Sequence, residues 1–333
     1  MKSRNLLYIL IFLILLLVTL TASYLTVLNY INTTPSVTED IRIEIPKGSG
    51  LSGISQKLME SGVIANDTLF ILYVMKEGWQ DKLKAGEYKF EKGSTMAGVV
   101  RKIVNGDVEL HKVAIPEGLS VREIARLLDE KGVVNESEFM EQTRNEKLVK
   151  KLLGPDATSL EGYLFPETYS YSGSLTAAEL IELMVERFKA VYEPLSEQRK
   201  GVNLTDNEVL TLASIVEKET GASFERPLIS AVFQNRIKIG MKLDSDPTVI
   251  YGMGEDYDGN LSRSDLKRYT EYNTYVIKGL PPGPIANPGK DSILAVLNPA
   301  DVKYLYFVSK GDGTHHFSNS FREHQNAVNK YQR

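Results

Sequence analysis

From Leu6 to Ile31 the chain carries no charged side chain and is apolar for most of its length. A helix rises about 1.5 Å per residue, so about 20 such residues cross the hydrocarbon of a bilayer. Lys2 and Arg4 precede the run, and the first charges beyond it are Glu39 and Asp40. The bias of positive charge to the cytoplasmic side therefore predicts a single-pass protein of the cytoplasmic (inner) membrane with its N-terminus in the cytoplasm. A cleaved signal peptide is the plain alternative, but the run is long and lacks a clear A-x-A site. The expected order is a cytoplasmic tip at residues 1–4, a transmembrane anchor in contact with membrane lipid at 5–31, a polar linker at 32–40 and a folded body outside the membrane.

That body has the means to fold. The chain has 333 residues, 42% hydrophobic and 25% charged, an ordinary globular balance. The formal net charge of −4 and the lack of a dense Lys/Arg run exclude a phosphate-backbone footprint, so no nucleic-acid partner is expected. There is no cysteine, which removes disulfides, zinc thiolates and cysteine nucleophiles together and leaves the redox compartment undetermined.

An internal repeat follows the linker. IEIPKGSGLSGISQKLMESGVI, Ile43 to Ile64, aligns without gaps on VAIPEGLSVREIARLLDEKGVV, Val113 to Val134. Each copy has a β-branched run, a Pro-x-Gly turn, apolar residues at helical spacing and a glycine stop, which reads as strand, turn, helix. Ala85 to Asp107 reads as another strand and helix. Residues 41–134 are thus expected to form an α+β domain, and their strand-helix-helix-strand order resembles LysM-type glycan-binding modules. A rigid spacer is the plain alternative, because fold does not imply function.

Residues 135–202 read as a mostly helical connecting region, with clear helical periodicity from Leu175 to Leu195. Ahead of it, LEGYLFPETYSY crowds aromatics around Pro166; these are either core or a sugar-stacking platform. From Asn203 the signals become denser, and 203–333 is the expected catalytic domain. Thr205 and Glu208 form a capping-box pattern, so a helix should begin near Asp206. A second helix is predicted over Arg226 to Ile239, closed by Gly240. LDSDPTVIYGMG and a long Gly/Pro/Tyr-rich stretch, YTEYNTYVIKGLPPGPIANPGKDS, come next, and loops of that length are usually functional. Asp291 or Ser292 can cap a helix to Leu297, KYLYFVS reads as a strand, and GDGTHHFSNSF turns back toward a final helix.

The helix from Asp206 ends in ASIVEKETG, which places two carboxylates among apolar residues. At about 100° per residue, Val209, Leu212, Ala213 and Val216 define an apolar face. Glu219 falls at one edge of it and Glu217 at the other, while Ser214 and Lys218 point to the opposite side. Two residues apart, the carboxylates cannot face each other. They are therefore no acid–nucleophile pair of the kind a retaining glycosidase holds about 5 Å apart. A carboxyl group at an apolar edge has its ionised form disfavoured, which suits a general acid. The plain alternative for each is a salt bridge, to Arg226, Arg236 or Lys218. Geometry alone leaves the choice open.

SIVEKET, DPTVIYGMG, YNTYVIKGLPPGPIANPG and YLYFVSKGDGTHHFS, in that order, together with EGYLFPETY and the single N-terminal anchor, closely resemble the motifs of the membrane-anchored endolytic murein transglycosylases, the YceG-like family. The resemblance runs across nearly the whole chain. It implies cleavage of nascent peptidoglycan glycan strands between N-acetylmuramic acid and N-acetylglucosamine, with formation of 1,6-anhydro ends and termination of strand elongation. It also implies a lysozyme-like, mainly helical catalytic domain with a small β portion. One carboxyl group suffices for that chemistry, first protonating the glycosidic oxygen and then deprotonating the muramyl C6 hydroxyl. By the motif, this group is Glu219, followed by the hydroxyl of Thr220, with Glu217 as supporting neighbour or alternative.

Asp246, Thr248, Tyr251, Tyr272, Asn273, Tyr275 and His316 are the candidate substrate contacts; turn formation is their plain alternative. The family commonly carries glutamine at Asp244, a departure that bears on a substrate amide contact and not on the acid. His315, His316 and His324 lack the carboxylate spacing of an H-E-x-x-H site, so neither metal nor other cofactor is expected. Shared location implies peptidoglycan synthases as partners. A hydrolytic muramidase and a non-catalytic wall-binding scaffold are the rival functions.

Overall fold

The computed structural model describes residues 2–199 and 201–332. Met1, Lys200 and Arg333, which fall in the expected tip, connecting region and C-terminal domain, lie outside the described residues. The chain forms two compact units. The first holds the residues up to Lys112 with Ser170–Ser174; the second holds Val113–Tyr169 and the residues from Leu175 onward. The expected 41–134 domain is thus divided after Lys112, so the two repeats lie in different units.

The first unit opens with α1 (Lys2–Thr33), whose stretch Arg4–Thr33 contains an 18-residue window of mean hydropathy 2.7 that is wholly unburied. Then come β1 (Ile41–Ile45), α2 (Leu51–Glu60), α3 (Asp67–Lys76), β2 (Gly86–Phe90) and α4 (Met96–Asn105). Strands β1 and β2 pair antiparallel, Ile43 opposite Tyr88. Their inward side chains pack with Leu58, Phe70, Val74, Val99 and Ile103 into one core. The polar stretch before β1 is part of this fold. Pro35 bridges to Thr95, and Val37 is buried in the core. The segment 32–40 therefore differs from the free linker its polarity suggests, because one buried valine and backbone bonds to Ser94 tie it down.

The chain passes from one unit to the other within β3 (His111–Ala114) and, later, within β4 (Thr168–Tyr171). The second unit continues through α5 (Val121–Glu130), α6 (Glu136–Thr143), α7 (Glu146–Leu153) and α8 (Ala177–Ser196) to α9 (Asp206–Glu219), α10 (Arg226–Lys238), α11 (Asp246–Met253) and α12 (Lys290–Leu297). A hairpin of β5 (Tyr306–Ser309) and β6 (His315–Ser318) precedes α13 (Phe321–Tyr331). The repeat has a clear backbone origin: Gly48 and Gly118, at equivalent turn positions, have φ of 82° and 78°, the left-handed region that side chains with a Cβ avoid.

Helix α9 is the axis of the second unit and packs against α10, α11 and α12. It begins with the expected capping box, Thr205 and Glu208 exchanging hydrogen bonds with each other's backbone. Its burial is wider than one face. Ser214, expected on the opposite side, is fully buried, donating to the Thr211 carbonyl (2.7 Å) and accepting from Ile285 N–H (3.0 Å). The irregular 270–289 segment thus covers the side of α9 that the helical wheel leaves polar.

Candidate active site around Glu219

Glu219 is the last residue of α9 and lines a cavity of about 330 Å³ with Arg236, Asp244, Asp246, Tyr275, Tyr306, Phe307, Phe321 and His324. The Ser245 hydroxyl donates to its Oε1 at 2.5 Å. Burial pushes the Glu219 carboxyl above the ordinary range, and the nearby Asp246 adds to that; the Ser245 bond, His315 and Arg236 pull the other way. The C-terminal end of a helix also disfavours a negative charge. The net effect is a carboxyl group biased to its protonated form, the property an acid catalyst needs.

Ser245 and Asp246 reach the site because α11 starts there, with Pro247 in its first turn where a missing N–H costs nothing. Just before it, Asp244 has φ of 46°, an uncommon backbone for a residue other than glycine. Its carboxylate lies 4.0 Å from Arg236 Nη1, and burial raises its pKa against the pull of that guanidinium. Arg236 also donates to the carbonyls of Leu305 (2.7 Å) and Leu243 (2.6 Å) and stacks over Tyr306, 5.5 Å to the ring centroid. It holds the β5 side and the α11 side of the cavity together.

Of the expected contacts, Asp246 and Tyr275 line this cavity, and the Tyr275 hydroxyl donates to Asp246 Oδ1 at 2.7 Å. Thr248 is fully buried and bonds to Thr274 Oγ1 and the Ser245 carbonyl. Asn273 is fully buried too, its amide donating to the carbonyls of Asp265, Leu266 and Arg268. Both hold the loop in shape. His316 packs on Tyr331 and is not in the cavity wall, whereas His324 is. The neighbouring His315 has its Nδ1 2.7 Å from Glu225 Oε2, with its backbone N–H donating to Oε1. Glu225 is 2% exposed, so this carboxylate fixes the ring.

Glu217 is differently placed. It accepts from Arg226 Nη2 (3.0 Å) and from Gly289 N–H (2.9 Å), tying α9 to α10 and to the start of α12. Gly289 is the N-cap of α12, with no side-chain cap, where Asp291 or Ser292 was the expected one. A side-chain carboxylate from another helix does the capping.

Tyr251 and Tyr272 pack against each other with centroids 4.7 Å apart and ring planes inclined at 56°. Tyr251 lines a second, larger cavity of about 1110 Å³ together with Arg122, Arg126, Arg144, Lys218 and Glu161. Its hydroxyl donates to Glu161 Oε2 at 3.1 Å; Val121 N–H and the Asn287 amide complete the cage around that carboxyl. Burial pushes Glu161 up to about 7 against those hydrogen bonds. The aromatics around Pro166 are core in part: Phe165 packs in the core that α9 forms, and Tyr169 is buried, its hydroxyl on the Phe165 carbonyl.

Sequence reasoning missed Ser245, Arg236, Tyr306, Phe307, Phe321 and His324 as cavity residues. Ser245 had a signal, since it sits between two aspartates beside the DPT motif. The aromatics had none, because β5 and α13 place them through tertiary packing alone.

The YceG-like family model matches residues 43–330. The protein named endolytic murein transglycosylase in Bacillus subtilis (strain 168) is 33% identical over 310 residues, covering 87% of this chain and 84% of that protein. The protein of the same name in Streptococcus pneumoniae serotype 2 (strain D39) is 30% identical over 319 residues; the match covers 86% of this chain and 58% of the longer relative. A crystal structure of a YceG-like protein from Listeria monocytogenes matches with a TM-score of 0.59 at 32% identity, over 86% of this chain and 98% of that one.

Proposed function

This chain belongs to the YceG-like family, and from that premise and the cavity around Glu219 we propose that it is an endolytic murein transglycosylase whose Glu219 acts first as acid and then as base. The carrying observation is a buried carboxyl group, raised in pKa, at the edge of a cavity lined by aromatic and polar side chains. Ser245 occupies Oε1, which leaves Oε2 to carry the proton. That proton goes to the glycosidic oxygen between N-acetylmuramic acid and N-acetylglucosamine as the C1–O bond breaks. The carboxylate so formed takes the C6 hydroxyl proton while O6 closes on C1, leaving a 1,6-anhydro end. The enzyme ends the cycle protonated again, and neither water nor cofactor is consumed. Asp246, held by Tyr275, supplies negative charge beside the oxocarbenium-like carbon.

The apolar helix α1 supports a single-pass anchor, and the positive charge of Lys2 and Arg4 supports an N-terminus in the cytoplasm. On that topology the second unit works outside the cytoplasmic membrane on nascent strands, near the synthases that make them. The β1-α2-α3-β2 order is what a LysM-like module has, and the helical surround of α9 is what a lysozyme-like one has. A hydrolytic reading draws on one observation, that Asp244 and Asp246 share the cavity with Glu219, since a second carboxylate can activate water.

The test is to incubate the full-length protein in detergent with uncrosslinked glycan strands and weigh the product ends. Anhydro ends are expected, with cleavage falling about a thousandfold in Glu219→Gln, the scale of a lost general acid. Reducing ends, heavier by one water, would establish hydrolysis. Binding without cleavage by the wild type would leave a scaffold.

A further inference from the structure

The anchor helix runs into the folded unit instead of stopping short of it. Tyr24, Leu28 and Ile31 stand at i, i+4 and i+7 on α1, one stripe on one face. Leu28 is half-buried, Ile31 is buried in the core of the first unit, and α1 packs there against α4. About 10 Å nearer the N-terminus along the axis, Tyr24 meets Lys76, the last residue of α3. Glu77 foremost, and Tyr24 after it, hold the Lys76 ammonium above its ordinary range.

Helix α3 buries Phe70, Tyr73 and Val74 in the core and turns Thr68, Leu72, Met75 and Lys76 outward. Leu72 and Met75 are each 58% exposed. Two large apolar side chains one helical turn apart on one face, beside an anchor helix, call for a cover.

We infer that this edge of α3 rests in the headgroup layer of the membrane, Leu72 and Met75 reaching the acyl boundary and Lys76 the lipid phosphates. The inference rests on reading α1 as the membrane anchor. Counted from Arg4, about 20 residues cross the hydrocarbon, so α1 leaves it near Tyr24. Tyrosine is a residue type that favours the membrane–water interface. Lys76 meets α1 at that same level, and an apolar stem with a charged tip suits the same boundary. The first unit is therefore held down at two places, by α1 and by the face of α3.

The absence of cysteine permits single-cysteine labelling of the full chain reconstituted in vesicles of phosphatidylglycerol and phosphatidylethanolamine. Leu17→Cys, Leu72→Cys and Met75→Cys would each carry an environment-sensitive fluorophore, read against lipids bearing nitroxide quenchers. The expected result is blue-shifted emission at all three sites, quenched by deep nitroxides at position 17 and by shallow ones at 72 and 75. Quenching at 17 alone, with 72 and 75 open to aqueous iodide, would overturn the membrane contact of α3 and leave the anchor standing. No quenching at 17 would overturn the anchor and the inference together.

Discussion

Glu217 and Glu219 lie two residues apart, and their partners divide their tasks. Glu219 faces a cavity and Ser245; Glu217 faces a guanidinium and a backbone N–H. Arg226, its partner, is 8% exposed. Removing the charge on Glu217 leaves that buried cation dependent on Glu117 and Asp291, both beyond 3.5 Å. Glu217→Gln is therefore expected to lower unfolding stability by about 2–3 kcal/mol, somewhat less than a fully broken buried pair, as a shifted denaturant midpoint. The residual folded enzyme should keep the product ends of the wild type. The helical wheel put both carboxylates on edges of the apolar face, and it could do no more, because the partners that separate them come from α10, α11 and the 281–289 segment.

Glu161 makes a pH prediction of opposite kind to an ordinary surface carboxylate. Its folded pKa, about 7, stands above the usual 4.5, so the neutral form is the one the fold prefers. Stability is then full below about pH 4.5 and declines as pH rises to about 7, by up to about 3 kcal/mol at 1.4 kcal/mol per pH unit. In Glu161→Gln that slope between pH 5 and 7 should become shallower, the remainder belonging to other carboxyls raised by burial such as Glu219, read as unfolding midpoints across pH. A slope unchanged from wild type would mean that Glu161 ionises as it does in the unfolded chain.

At the scale of elements, α9 was the most legible part of the chain, since its Thr205–Glu208 capping box, apolar spacing and terminal Glu219 all agree. Thr205→Ala removes the side-chain acceptor for Glu208 N–H and should cost about 1 kcal/mol, visible as a lower thermal midpoint with product ends unchanged. Helix α11 was hidden, because Asp-Pro-Thr is also a common turn and the helix has only eight residues. Its start was nevertheless the informative feature, for it delivers Ser245 and Asp246 to Glu219. The start of α12 was shifted for a related reason: its cap comes from Glu217, far away in sequence.

At the scale of the whole molecule, the long apolar run, the repeat and the longer helices could be read from the sequence, while the division into units could not. A repeat suggests one domain, yet its copies belong to different units because the chain crosses between them within β3 and β4. The polar stretch Thr33–Asp40 hid a structural part in the same way. A lone valine among polar residues has no periodicity to betray it, but Val37 is 1% exposed and Ile31 3%. Burying side chains of this size stabilises by about 1.5–3 kcal/mol each. A chain begun at Val27, which keeps both residues, should therefore lose most of the apolar helix yet retain a folded first unit. One begun at Ile41, at the start of β1, loses both and should show the first unit unfolding at a markedly lower denaturant concentration. Trp79, the sole tryptophan, packs edge-on to Tyr73 within that unit, so its fluorescence reports this transition; equal midpoints for the two truncations would show that the residues before β1 contribute nothing to the fold.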